Sequence, residues 1–107
     1  VMYKQADGTY VVNTTSLCSN VKGFKGATPV EVYIKNNKVV KVEALPNREG
    51  PKFYDKVKQG LFPKFNAMKV SKAAKAESLD GVTGATYTSR AVKENIAAAV
   101  AYYKKNK

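Results

Sequence analysis

The 107-residue sequence has no histidine, no tryptophan and one cysteine, Cys18. Without histidine there is no Ser–His or Cys–His catalytic pairing and no imidazole ligand for a transition metal. A lone thiol excludes an intramolecular disulfide, and beside Leu17 it is expected as a small buried residue. Acidic residues are scarce, 8 Asp+Glu against 19 Lys+Arg, for a net charge of +11. The carboxylates are scattered, so no acid–base pair or substrate motif of a stand-alone enzyme emerges. Arginine is limited to Arg48 and Arg90. Nucleic-acid readers gather basic residues on one face and reach for bases with arginine. Here lysine is spread along the chain, and its one short cluster, Lys104, Lys105 and Lys107, sits where positive charge offsets a helix C-terminal dipole. Solvated surface lysine is the default reading, with docking to an acidic redox partner or a lipid surface as a secondary one. No apolar run is long enough to span a bilayer. No signal peptide opens the chain, and Val1-Met2 reads as a trimmed or mature start.

What is present is a globular composition, 44% hydrophobic, of a length that suits one domain over residues 1–107. Asp7-Gly8 reads as a turn into a strand over Tyr10–Thr14. Leu17–Val21 continues it or begins a second short strand, followed by the flexible link Gly23-Phe24-Lys25-Gly26. Val30, Val32 and Ile34 alternate with Glu31, Tyr33 and Lys35, which is the pattern of a half-buried strand. Asn36-Asn37 supplies a type I′ turn, since asparagine tolerates positive φ. The return strand is expected to place Val40, Val42 and Ala44 on one face and Lys41 and Glu43 on the other. Leu45–Pro51 breaks the sheet. Pro51 opens a two-turn helix through Lys58, ended at Gly60, and Leu61–Phe65 reads as a short helix or loop on the core. Met68–Ala76 is ambiguous by pattern, and its position before the next motif favours a strand. From about Ser89 to Lys105, Val92, Ile96, Ala99, Val100 and Tyr103 recur at helical spacing, with alanines adding propensity. The fold class expected is α+β: an antiparallel β-sheet with a long C-terminal helix on one face and one or two short helices.

The most informative stretch is Asp80-Gly81-Val82-Thr83-Gly84-Ala85-Thr86-Tyr87-Thr88-Ser89, directly before the long helix. Taken alone it fits two readings. Thr88 or Ser89 can cap the first free amides while Gly81 and Gly84 make the turn. Alternatively the free amides and the positive end of the macrodipole hold a phosphate, with Ala85 leaving room beside Thr86.

The longer pattern, Asp80-Gly81-x-Thr83-Gly84-Ala85-Thr86-x-Thr88-Ser89-x-x-Val92, resembles the flavinylation motif of the FMN-binding domain family, which includes flavin-carrying subunits of sodium-pumping NADH:quinone reductase and Rnf-type complexes. The resemblance implies FMN joined through a phosphoester to Thr86 by a separate flavin transferase that supplies metal and base, since no competent base lies near Thr86 in sequence. It also implies an exported bacterial electron carrier, found outside the cytoplasm, whose signal or anchor segment is not in this chain. Its redox partner proteins would be a donor and an acceptor that the motif does not name. Gly23-Phe24-Lys25-Gly26 is similar to a piece that precedes the central hairpin in the family. Asn47-Arg48-Glu49 falls near the family's loop after the hairpin, with Pro46 where that loop has histidine. Asn47 and Glu49 are therefore expected to approach the flavin ring or to order the loop beside it.

Around Thr86, the hydroxyls of Thr83 and Thr88 are expected to add donors to the phosphate. Asp80, whose charge would repel a phosphate, is expected to accept from loop amides or to serve as a mark for the transferase. Among the aromatics, Tyr87 and Tyr54 are the candidates for stacking on the ring, and Arg90 reads as an exposed helix residue or a cation offsetting flavin charge. Two other classes compete: a module holding FMN or another phosphate ligand noncovalently, and a basic interaction domain without cofactor.

Overall fold

A computed structural model describes residues 1–107. Four strands, β1 (Met2–Lys4), β2 (Tyr10–Asn13), β3 (Val30–Lys35) and β4 (Lys38–Ala44), form one antiparallel sheet in the order β1-β2-β3-β4. Three α-helices follow: α1 (Pro51–Gly60), α2 (Val70–Ala73) and α3 (Thr86–Asn106), with 3₁₀ turns at Phe62–Phe65 and Ala76–Ser78. The class is α+β, as the alternation of strand and helix periods predicts. β1 was not anticipated. Three residues with one half-buried side chain carry too little pattern to read.

One sheet face packs on α3 and the Phe62–Phe65 turn, and α1 packs against both. Val12, Val30, Val32, Ile34, Val39 and Val42 meet Tyr54, Val57, Val92, Ile96, Ala99 and Val100, and Leu61, Phe62 and Phe65 close the same core. Proline at the first position of α1 fits its fixed φ, and the helix buries Tyr54 and Val57 while Phe53 stays outside. A polar pin crosses the layers. The Val30 amide donates to Thr14 Oγ1 (2.9 Å), the Thr14 hydroxyl meets Asn95 Oδ1, and Asn95 Nδ2 donates to the Ala91 carbonyl. At the hairpin tip Asn36 and Asn37 take φ of 54° and 60°, the type I′ geometry expected of them. Tyr103 Oη then donates to Asn37 Oδ1 at 2.8 Å, tying the end of α3 to the turn.

Three expectations are corrected. Leu17–Val21 neither extends β2 nor forms a second strand: the Cys18 amide donates to the Thr14 carbonyl and the Val21 amide to the Cys18 carbonyl, which coils the segment into turns. Val40 does not join the buried face. Tyr33 pairs with Lys41 but Ile34 pairs with Val39, so Val40 is the extra residue of a bulge; it is exposed, and Val39 fills the core. Val39→Ala is therefore expected to cost about 2 kcal/mol and Val40→Ala less than about 0.5 kcal/mol, read as the shift of the urea midpoint. Nor is Met68–Ala76 a strand. Ala67 and Met68 exchange backbone bonds with Val39, and Lys69 bridges Lys38. The pairing then stops, because the Val70 amide donates to the Asn37 carbonyl and the chain coils into α2. Alanine-rich sequence favours that outcome.

Candidate functional site

The site forms where three loops meet the N-terminus of α3. Helix α3 begins at Thr86, one turn before the expected Ser89, with Ala85 as N-cap and no side-chain cap. This places Thr86 on the helix, exposed, its hydroxyl engaged with no protein group. The amides of Thr86, Tyr87 and Thr88 likewise donate to no protein acceptor. An uncapped N-terminus with adjacent free amides suits an anion. Gly84 turns the chain into it at φ +86°, a conformation most side chains resist.

The neighbouring hydroxyls are not free. Ser89 is buried, and its Oγ accepts from the Val82 amide at 3.0 Å, holding the preceding loop rather than capping the helix. Thr88 is buried and donates to Glu49 Oε1 at 2.7 Å, so the expectation that its hydroxyl adds a donor to a phosphate is corrected. Asp80 is exposed and accepts no hydrogen bond, which removes its expected role as acceptor for loop amides. Gly81, Thr83 and Thr86 line a polar cavity of about 470 Å³ together with Glu77, Arg90 and Lys93.

On the other side of Thr86 lies a groove of about 350 Å³, within the range of small-molecule sites. Its walls are Phe24, Phe53 and Tyr87, with Lys25, Gly50 and the segment Gly84–Thr88. Six large apolar side chains of the protein are exposed, and these three, at 68%, 49% and 55%, converge on the groove. The others, Val1, Tyr3 and Val40, lie on strands at opposite edges of the sheet or beside them and form no such cluster. The Phe24 and Tyr87 rings are 6.2 Å apart and inclined at 32°.

Glu49 builds this groove from behind. It is 5% exposed, and its carboxylate accepts from the Phe24 amide (2.7 Å), the Lys25 amide (2.7 Å) and the Thr88 hydroxyl. It thus ties the Gly23–Gly26 loop to the first turn of α3. Burial alone would raise its pKa, but the Thr88 hydroxyl and the Lys25 and Phe24 amides outweigh burial and hold it below the ordinary value of 4.5. Gly23 is required by this contact, since a Cβ there would lie 2.1 Å from Glu49 Oε1. Asn47 orders Glu49's own loop, between β4 and α1: its Oδ1 accepts from the Glu49 amide and its Nδ2 donates to the Leu45 carbonyl, both at 3.0 Å. It is exposed and outside the groove lining.

Tyr54 departs from its expected stacking role. It is 3% exposed in the core, edge-on to Phe62 at 6.1 Å, with its hydroxyl lacking a partner and pushed to higher pKa first by burial and then by Glu49. Tyr54→Phe removes an unpaired buried hydroxyl and is expected to leave the thermal midpoint unchanged or to add up to about 1 kcal/mol, measured by calorimetry. Sequence reasoning missed Phe24 and Phe53. The available signals were an aromatic held between two loop glycines, and Phe53 adjoining Tyr54 on α1, where consecutive residues face different directions. Cys18 is buried as expected, and burial, with Glu94 next, raises its thiol pKa.

The groove and the uncapped helix suit a ligand with a flat aromatic part and a phosphate: three aromatic walls, three free amides in the first turn of α3 that lines the same groove, and the exposed Thr86 hydroxyl on that turn. FMN has both parts, and the residues fit it. The model of the FMN-binding domain family matches residues 23–101, which takes in the Phe24 loop, Glu49 and all but the last five residues of α3. No curated protein matches the chain.

Proposed function

The chain belongs to the FMN-binding domain family, and we propose that it is an extracytoplasmic electron-carrier domain with FMN joined by a phosphoester to Thr86. Bound FMN supplies reversible electron transfer, and the protein supplies binding, orientation and electrostatics. The observation that carries the covalent reading is the Thr86 hydroxyl, exposed and unengaged at an uncapped helix N-terminus beside an aromatic groove. In this reading the amides of Thr86, Tyr87 and Thr88 hold the phosphate oxygens, and Phe24, Phe53 and Tyr87 exclude water from the ring. Glu49 and Thr88 keep these two parts of the site in register.

No side chain hydrogen-bonds to Thr86, and Glu49 is committed to Thr88 and two amides. A threonine hydroxyl is a weak nucleophile without an adjacent base, so attachment falls to a separate flavin transferase with this domain as its substrate. The experiment is the intact mass of denatured protein after expression with and without such a transferase. A gain of one FMN less water, mapped to the peptide holding Thr86, supports the assignment. Flavin that is released on denaturation assigns a noncovalent module instead.

A further inference from the structure

The charge around the groove is uneven in a way the flavin does not require. Lys25 lines the groove, Lys56 Nζ lies 6.0 Å from the centre of the Phe53 ring, and the Arg90 guanidinium lies 5.6 Å from that of Tyr87. Arg48 packs beside Gly26 at the base of the Phe24 loop, and Lys52 is exposed on the first turn of α1. None of these five cations is in an ion pair. The groove lining contains no carboxylate; Glu49 behind it is buried and fully engaged, and of the five cations Arg90 alone also borders the polar cavity lined by Glu77 and Glu94.

The sheet is mixed. There Lys35 meets Asp7 and Lys41 meets Glu43, while Lys4 and Lys38, at separate strands, are in no ion pair and line neither the groove nor the polar cavity. On α1 the one acid, Asp55, is taken by Lys58. A phosphodiester on Thr86 would carry a single negative charge, already faced by three free amides. Several cations around the mouth remain unaccounted for.

We propose that this basic collar is a docking surface for an acidic electron-transfer protein, brought over the mouth of the groove where the flavin is reached. The inference rests on the carrier reading and names the chemistry of its partner. A ring of like charge around a recess steers an oppositely charged partner and raises its encounter rate, with a steep dependence on ionic strength. A partner arriving edge-on to the groove meets Lys25, Lys56 and Arg90 around one recess, whereas one arriving at the sheet meets two ion pairs and two separated lysines.

The test is a binding titration of the isotopically labelled chain, with and without flavin, against a ferredoxin of net negative charge, followed by NMR shift mapping. The shifts are expected at Lys25, Arg48, Phe53, Lys56 and Arg90. Affinity is expected to fall about tenfold as ionic strength rises from about 0.01 M to about 0.15 M, where the Debye length contracts from about 30 Å to about 8 Å. Lys25→Glu combined with Lys56→Glu is expected to abolish binding, and Lys25→Gln with Lys56→Gln to weaken it. Lys104→Glu with Lys105→Glu reverses the same charge about 30 Å away, at the far end of α3, and is expected to leave most of the affinity. Equal loss in that distant variant, or shifts spread over lysines generally, overturns the collar and leaves only net charge. Tighter binding of the same residues to phosphatidylglycerol vesicles overturns it in favour of a lipid surface. A chain that takes no flavin beside an active flavin transferase refutes the carrier reading alone, because the map on the flavin-free chain still decides the collar.

Discussion

Thr86→Ala is expected to yield a folded protein that never gains the mass of FMN, even beside an active flavin transferase. The loss is complete because the alanine has no oxygen to esterify. The fold survives because the Thr86 side chain is exposed and bonds to no other residue, so replacing it falls within the range of ordinary surface substitutions, about 0.5 kcal/mol in urea unfolding. Thr86→Ser keeps the nucleophile and is expected to keep the flavin. The other threonines of the motif separate position from residue type. Thr83 is exposed but lies outside the groove lining, in the loop before the N-cap, so Thr83→Ala is expected to retain covalent flavin. Thr88 is buried with its proton given to Glu49. It cannot be the site of attachment without breaking that contact. Covalent flavin in Thr86→Ala, mapped to either neighbour, would sink the assignment.

What could be read from the sequence follows the range of the interaction that fixes it. The β3–β4 hairpin was legible because period-two alternation and an Asn-Asn turn are local features. The bulge at Val40 was not: Val39 and Val40 are chemically identical, and which one enters the core is decided by pairing with Tyr33 and Ile34 and by the Val39 contacts to Ala67 and Met68. Helix α3 was legible from its apolar stripe, but its start was placed one turn late. Thr86–Ser89 looks like capping sequence, yet Ser89 is recruited by Val82 and Thr88 by Glu49. That left the helix uncapped and the amides free, which is the more useful outcome for an anion site. Thr86 was found through its motif, whereas the groove that gives it a neighbour for a flat ring was not. Phe24, Phe53 and Tyr87 come from three segments that only the folded chain brings together.

Glu49 is the clearest case of a long-range partner, with its bonds reaching 25 residues back to Phe24 and 39 forward to Thr88. Glu49→Ala is expected to cost about 3 kcal/mol in urea unfolding. It leaves two amides and a buried hydroxyl without their acceptor, each worth about 1–3 kcal/mol when fully desolvated, and water recovers part of the loss at this partly open edge. Glu49→Gln keeps one acceptor oxygen but turns an NH₂ toward a backbone N–H, so it recovers only part of the stability. Gly23→Ala attacks the same contact from the other side, because the added Cβ and Oε1 cannot share the space. The pH dependence identifies the charge. A carboxyl whose folded pKa lies below its unfolded value of about 4.5 contributes stability that is present above that value and lost as pH falls through the folded pKa. The gap between wild type and Glu49→Gln is therefore expected to be largest at neutral pH and to shrink in acid. A gap that stays constant into strong acid would mean that Glu49 contributes by shape and not by charge. If the clamp also sets the groove, Glu49→Gln and Phe24→Ala weaken flavin binding through one element, and the double variant binds little worse than either single one. Additive losses would separate the buried carboxylate from the aromatic wall it holds in place.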